Sequence, residues 1–167
     1  VLAYDPYIPR SRFEALRVED ATSLDSLIGQ SDVLTVHTPL TDETAGMIGR
    51  RELGKLPPRA IVVNMARGGI VEESALLDAL NTKQLLGAVI DAYEKEPLSP
   101  DHPLRKQPDV LLTPHIGAST TEAQRNVAVD VCVAVRDALL SGELSRSINV
   151  ADVGGQWADV EPALTLA

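Results

Sequence analysis

Short apolar runs separated by amphipathic stretches recur from the first residue onward. The runs at 1–4, 33–36, 60–64, 86–90 and 110–112 have the length of strands buried in a sheet. Between them the spacing turns helical. Ser23 stands as an N-cap before Leu24, Leu27 and Ile28, which share one face. Residues 50–56 predict a short turn of helix ended by Pro57 and Pro58, and 72–80 predict a longer helix. The clearest helix is the last. Ser119, Thr120, Thr121 and Glu122 have the form of a capping box. Ala123, Val127, Val131, Ala134 and Ala138 then predict a core-facing stripe, and Gly142 is placed to end the helix. Beyond it, 145–150 are polar and 151–167, with Gly154, Gly155 and Trp157, carry no sustained period.

Strands alternating with helices of this length imply right-handed crossovers and a parallel sheet covered on both faces, an α/β fold. At 167 residues the chain has the length of about one domain. Aromatic residues make up only 3% of it, so Leu, Val, Ile and Ala must supply the packing. A net charge of −9 disfavours nucleic acid and anionic membrane as partners, because phosphate contacts need clustered Lys and Arg. An anionic substrate would then need a specific local cation. Cys132 is the single cysteine, which excludes an internal disulfide and fits a reducing compartment, the cytoplasm. No apolar run approaches the roughly 18 residues that span a bilayer, and the first residues lack a signal-peptide pattern.

The stretch 64–78 (Asn-Met-Ala-Arg-Gly-Gly-Ile-Val-Glu-Glu-Ser-Ala-Leu-Leu-Asp) places Arg67 at the exit of a strand, on a glycine turn that opens a helix. Open α/β sheets bind ligands in the crevice at that end of their strands. Asp91, Glu96 and the sequence Pro114-His115-Ile116-Gly117-Ala118 follow. Together they read as an anion-binding arginine and a histidine–carboxylate pair that moves protons. Taken singly, each residue has a plainer use. Arg67 equally caps a carbonyl, His115 suits a buried structural site, and Glu96 suits a solvated loop. Glu94 and His102 read as exposed loop residues, Cys132 as a small core residue, His37 as a source of backbone and packing contacts, and Asp5 before Pro6 as a turn starter.

The order and spacing of 64–77, 87–97 and 111–124, with Val36-His37-Thr38-Pro39-Leu40, resemble the nucleotide-binding domain of the D-2-hydroxyacid dehydrogenases. The resemblance covers roughly residues 1–150. It implies a Rossmann-type doubly wound parallel sheet lacking its first strand and glycine-rich turn, which are expected to precede Val1. It also implies a partial nucleotide-binding domain over 1–146, with 147–167 returning toward a substrate domain. The family's catalytic group matches Arg67, Glu96 and His115, and no metal is expected. NAD is the expected cofactor, with Arg10 and Arg12 leaving NADP open. Its contacts match Asp5, Thr38, Met65, Ala66, Arg67, Asp91, His115, Ile116, Gly117 and Ala118. Asp5 would take the adenosine ribose hydroxyls and Asp91 the nicotinamide carboxamide, while backbone contacts matter most at Met65, Ala66 and Gly117.

The implied reaction is hydride transfer between a D-2-hydroxy acid and NAD. The run 117–124 points to 3-phospho-D-glycerate, oxidised to 3-phosphohydroxypyruvate in serine biosynthesis. A glyoxylate/hydroxypyruvate reductase and an NAD-sensing corepressor on the same fold are the alternatives. A homodimer or homotetramer is implied for the parent protein. Two departures from the pattern stand out. Glu72 replaces a better-capping aspartate, and Ala92-Tyr93 replaces the usual Val-Phe, expected to alter packing alone.

Overall fold

The computed structural model describes residues 1–144 and Arg146. The expectations for the rest of 145–167, including Trp157 and the return segment, lie outside the described residues. The chain forms two compact units, Val1–Gly117 and Ala118–Ala167.

In the first unit the central sheet has four parallel strands in the order β3-β4-β5-β6. These are β3 (Val33–Val36), β4 (Ala60–Asn64), β5 (Leu85–Ile90) and β6 (Val110–Leu112). A separate parallel pair joins β1 (Leu2–Ala3) to β2 (Glu19–Asp20). Between the strands run α1 (Arg10–Leu16), α2 (Leu24–Gly29), α3 (Arg50–Leu53) and α4 (Glu73–Asn81), with a 3₁₀ turn at Pro103–Lys106 before β6.

Strand alternation decides what is buried. Leu34, Val36, Ala60 and Val62 lie under a core that also holds Ile28, Leu53 and Leu76. Leu76 is fully enclosed, and burying such a side chain is worth about 1.5–3 kcal/mol. Val33, Leu86 and Leu111 are exposed, and among the described residues no strand pairs with the outer edge of β3.

Ser23 caps α2 as expected, its hydroxyl accepting the Ser26 N–H at 3.1 Å. In α4, Ala75, Leu76, Ala79 and Leu80 are buried, which is the spacing that made the helix legible. α1, β2 and the 3₁₀ turn were not expected. α1 buries only Phe13, and β2 consists of two exposed acids held by backbone bonds to β1, so neither leaves a periodic pattern.

The second unit contains α5 (Thr121–Ser141). Its cap is Thr120 rather than Ser119: the Thr120 hydroxyl accepts the Ala123 N–H at 3.1 Å, one residue later than the capping box read from sequence. Gly142 ends it with φ 67°, a left-handed conformation that glycine adopts without penalty. The stripe predicted as core-facing is not buried. Val127 and Val131 are exposed, no residue of α5 is buried, and Cys132 is exposed instead of packed. Periodicity specifies which side chains share a face, not what covers it. No helix among the described residues is long and apolar enough to cross a membrane.

Candidate active site at the carboxyl ends of the strands

Parallel strands deliver the segments that follow them to one end of a sheet, and the candidate residues lie there. Behind β4, the buried Asn64 shapes the arginine turn. Its Oδ1 accepts the Ala66 N–H at 3.2 Å and its Nδ2 donates to the Arg67 carbonyl at 3.0 Å. The exposed Arg67 guanidinium donates from Nη1 to the carbonyl of Ala66 at 2.7 Å, the carbonyl-capping role open from sequence. It shares no hydrogen bond or ion pair with Glu96 or His115. Its turn is nevertheless pressed against theirs: a Cβ on Gly68 would lie 1.7 Å from the Tyr93 carbonyl oxygen.

Behind β5, Asp91 is fully buried. Its Oδ1 accepts the Thr113 hydroxyl at 2.5 Å and the Ile116 N–H at 2.9 Å, while Oδ2 accepts the Gly117 N–H at 2.9 Å. Burial alone would raise its pKa. The bonds from Thr113, Ile116 and Gly117 outweigh that and hold Asp91 below the ordinary carboxylate value. Those bonds take three of the roughly four lone-pair sites of a carboxylate with no solvent exposure, which leaves one on Oδ2 for the carboxamide expected there. What it holds is the turn bearing His115, whose φ is 55°. Successive N–H groups beside a left-handed residue form an anion-binding nest, and Asp91 occupies it.

Tyr93 carries more than packing. Its buried hydroxyl lies 2.7 Å from the Thr113 carbonyl and 2.9 Å from that of Ile90, tying the ends of β5 and β6 together. Its N–H donates to Glu96 Oε1 at 3.0 Å. Both oxygens of Glu96 lie 2.8 Å from His115 Nδ1. The Tyr93 N–H, then the His115 bond, lowers the Glu96 pKa despite some burial. An ionised carboxylate only accepts, so Nδ1 carries the proton and Nε2 is left as the free basic nitrogen. A cavity of about 480 Å³ adjoins the pair, lined by Tyr93, Leu98, Arg105 and Thr113 among others.

The remaining candidates follow other elements. Asp5 follows β1, exposed, with Oδ1 accepting the Tyr7 N–H at 2.9 Å. Thr38 follows β3, and its Oγ1 is buried without a hydrogen-bond partner among the described residues. An orphaned buried hydroxyl costs free energy unless a ligand satisfies it, so it fits a cofactor contact. Met65 and Ile116 are exposed, and Ala118 opens the second unit. The N–H groups of Ala66, Ile116 and Gly117 are spent internally and the Ala66 carbonyl accepts from Arg67, which leaves the carbonyls of Ile116 and Gly117 and the Cα surfaces of all three for a ligand.

Sequence reasoning missed Asn64 and Tyr93, whose side chains bond backbone atoms, and Thr113, whose hydroxyl donates to the remote Asp91. One expectation about exposed residues fails: His102 is half-buried, with Nε2 3.1 Å from Glu73 Oε2. Glu94 is exposed in a loop as expected, and its carboxylate also accepts a bond from the start of α4. His37 turns its ring outward, 3.0 Å from the Thr35 hydroxyl, in place of a packing role.

The family model for the D-isomer specific 2-hydroxyacid dehydrogenase NAD binding domain matches residues 1–117. The chain belongs to that family. A D-3-phosphoglycerate dehydrogenase of Archaeoglobus fulgidus is 43% identical over 170 residues, covering 100% of this chain and 32% of that protein. Among solved structures, a glyoxylate reductase from Paecilomyes thermophila superposes with a TM-score of 0.72 at 32% identity, covering 85% of this chain and 42% of that one. A D-isomer specific 2-hydroxyacid dehydrogenase from Xanthobacter autotrophicus, in complex with NADPH and MES, gives 0.66 at 29%, covering 83% and 55%. The chain thus spans about a third of the length of the curated relative it matches. Membership in the 2-hydroxyacid dehydrogenases accounts for the Rossmann-like parallel sheet.

Proposed function

We propose that the chain is part of an NAD-dependent oxidoreductase that moves a hydride between a D-2-hydroxy acid and NAD. The favoured reaction is 3-phospho-D-glycerate to 3-phosphohydroxypyruvate, the step implied by the relatives named D-3-phosphoglycerate dehydrogenase. The single observation carrying this reading is the 2.8 Å contact of His115 Nδ1 with Glu96, which leaves Nε2 basic beside the crevice.

When bound, NAD supplies the hydride acceptor. The residues of this chain supply the rest. His115 Nε2 takes the proton of the substrate hydroxyl, and Glu96 stabilises the imidazolium that forms. Reduction reverses this, with His115 returning the proton. Arg67 leaves the Ala66 carbonyl to pair with the substrate carboxylate, its planar fork suited to two parallel bonds. Asp5 accepts from the adenosine ribose hydroxyls, a preference for NAD over NADP because it would repel the extra phosphate. The nearby Arg10 is engaged in an exposed pair with Glu14. Thr38 and the surfaces of Met65, Ala66, Ile116, Gly117 and Ala118 line the cofactor path. Asp91 serves by holding His115.

Residues 1–146 act as a partial nucleotide-binding domain and 147–167 lead toward a substrate domain. The unpaired edge of β3 and the third-length coverage of a relative support this. The working protein is a homodimer or homotetramer in the cytoplasm.

The test is turnover of 3-phosphoglycerate with NAD by the full-length gene product. His115→Ala is expected to lower kcat by roughly 10²–10⁴-fold. Unchanged turnover would point instead to a non-catalytic NAD sensor, and preference for glyoxylate or hydroxypyruvate would reassign the substrate. The 167-residue chain alone is expected to show no measurable turnover.

A further inference from the structure

α4 begins without a local cap. Glu72 holds the N-cap position but makes no capping bond, and its carboxylate accepts the Ser74 hydroxyl at 2.7 Å instead. The first N–H groups of a helix need acceptors from elsewhere. Glu94, 21 residues further on, supplies one: its Oε1 accepts the Glu73 N–H at 3.0 Å. Glu73 returns the bond, its Oε1 accepting the Glu94 N–H at 2.9 Å.

The far end of the same loop is tied to the same residue. His102 Nδ1 accepts the Leu104 N–H at 3.3 Å, so its proton sits on Nε2, which lies 3.1 Å from Glu73 Oε2. The segment from Glu94 to His102 is therefore closed at both ends on one glutamate. Glu96 lies inside that closed segment, two residues from the first tie.

We propose that Glu94, clasped reciprocally with Glu73 and braced by His102, is a positioning residue for the Glu96–His115 pair. The clasp also sets the arginine turn, because Gly68 lies directly under the Tyr93 carbonyl that precedes Glu94. Two carboxylates tolerate this proximity because each accepts a backbone N–H. The amino end of a helix favours negative charge, and His102 donates to one of them. Glu96 itself is partly exposed and is held by the Tyr93 N–H and the His115 ring alone, so its position depends on the loop that carries it. The lowered Glu96 pKa, caused first by the Tyr93 N–H and then by His115, reports that position.

This inference rests on the proposed proton-relay role of His115 and Glu96 only for its catalytic consequence. The ¹³C titration of the Glu96 carboxyl in the 167-residue chain reads the contact itself. In Glu94→Ala, the Glu96 midpoint is expected to rise toward the ordinary carboxylate value. Glu94→Gln keeps an oxygen acceptor and should retain most of the lowering. Leu77→Ala, which loosens α4 away from the clasp, should leave the midpoint in place. An unmoved midpoint in Glu94→Ala, or an equal rise in Leu77→Ala, overturns the proposal. Should Glu94→Ala fail to fold, His102→Ala opens the other end of the clasp. A rise there supports positioning, and no rise overturns it. In the full-length gene product, Glu94→Ala should cost on the order of 10- to 100-fold in kcat, with KM for NAD unchanged. Absence of any turnover in the unmutated protein would refute the dehydrogenase reading while leaving the titration result intact.

Discussion

Asp91 Oδ2 lies 2.9 Å from the backbone nitrogen of Gly117, two residues past a histidine in left-handed conformation. With Oδ1 taking the Ile116 N–H, one buried carboxylate holds a strained turn in place. Strain of this kind costs on the order of 1–3 kcal/mol and persists only where surrounding bonds over-determine it. The position of His115 thus has two separate supports, Asp91 on its backbone and Glu96 on its ring.

Asp91→Asn is expected to destabilise the chain by about 1–3 kcal/mol. The amide presents an NH₂ group where a second acceptor oxygen stood, so a backbone N–H or the Thr113 hydroxyl loses its partner. Urea unfolding at neutral pH measures this. A midpoint equal to that of the unmutated chain would show that the turn does not need the charge.

The same carboxylates fix an acid dependence. Asp91 and Glu96 are both lowered below their ordinary values of 3.8 and 4.5. Below those values the unfolded chain binds protons that the folded chain does not, so stability rises with pH there. Their contribution is complete above the ordinary carboxylate range and disappears as pH falls through the folded values. Stability measured from pH 6 downward should therefore fall in acid, and Asp91→Asn should flatten that fall. A parallel pH profile in the two proteins would remove Asp91 as its source.

Gly68→Ala tests the contact between the arginine turn and the Tyr93 loop. A methyl group there overlaps the Tyr93 carbonyl, and neither side is a flexible side-chain end. Overpacking of this kind costs about 1–3 kcal/mol or more. The variant should unfold at lower urea and, in the full-length gene product, lose activity even though no catalytic side chain has changed.

Arg67→Lys keeps the positive charge and removes the fork. If two parallel bonds to a carboxylate are used in turnover, the full-length variant should lose roughly 10²-fold in kcat/KM. Folding should be unaffected, since the side chain is exposed and bonds only the neighbouring Ala66 carbonyl. Near-normal kcat/KM would confine Arg67 to that capping bond.

Much of the scaffold was legible along the chain. β3, β4 and β6 lie where their apolar runs predicted them, and α4 follows from the spacing of Ala75, Leu76, Ala79 and Leu80. His115 and Glu96, paired only by resemblance and by the habits of histidine chemistry, do meet. Other roles were illegible because their partners are remote. Glu94 looked like loop charge because nothing within a few residues needs it, yet the uncapped start of α4 does. His102 was misread for the same reason. Tyr93 passed as packing because its hydroxyl serves carbonyls at the ends of two strands.

Local spacing therefore determined the strands of the central sheet, the helices α2, α4 and α5, their order and the chemical types available at the strand ends. It could do so because helix and strand periods are set by backbone geometry within a few residues. Only the folded chain decided that Asp91 faces inward to hold His115 and that Glu94 and Glu73 cap one another. Those outcomes depend on which backbone N–H groups and surfaces meet after the crossovers close. A hydrogen bond between residues 21 or 26 positions apart leaves no period in the sequence.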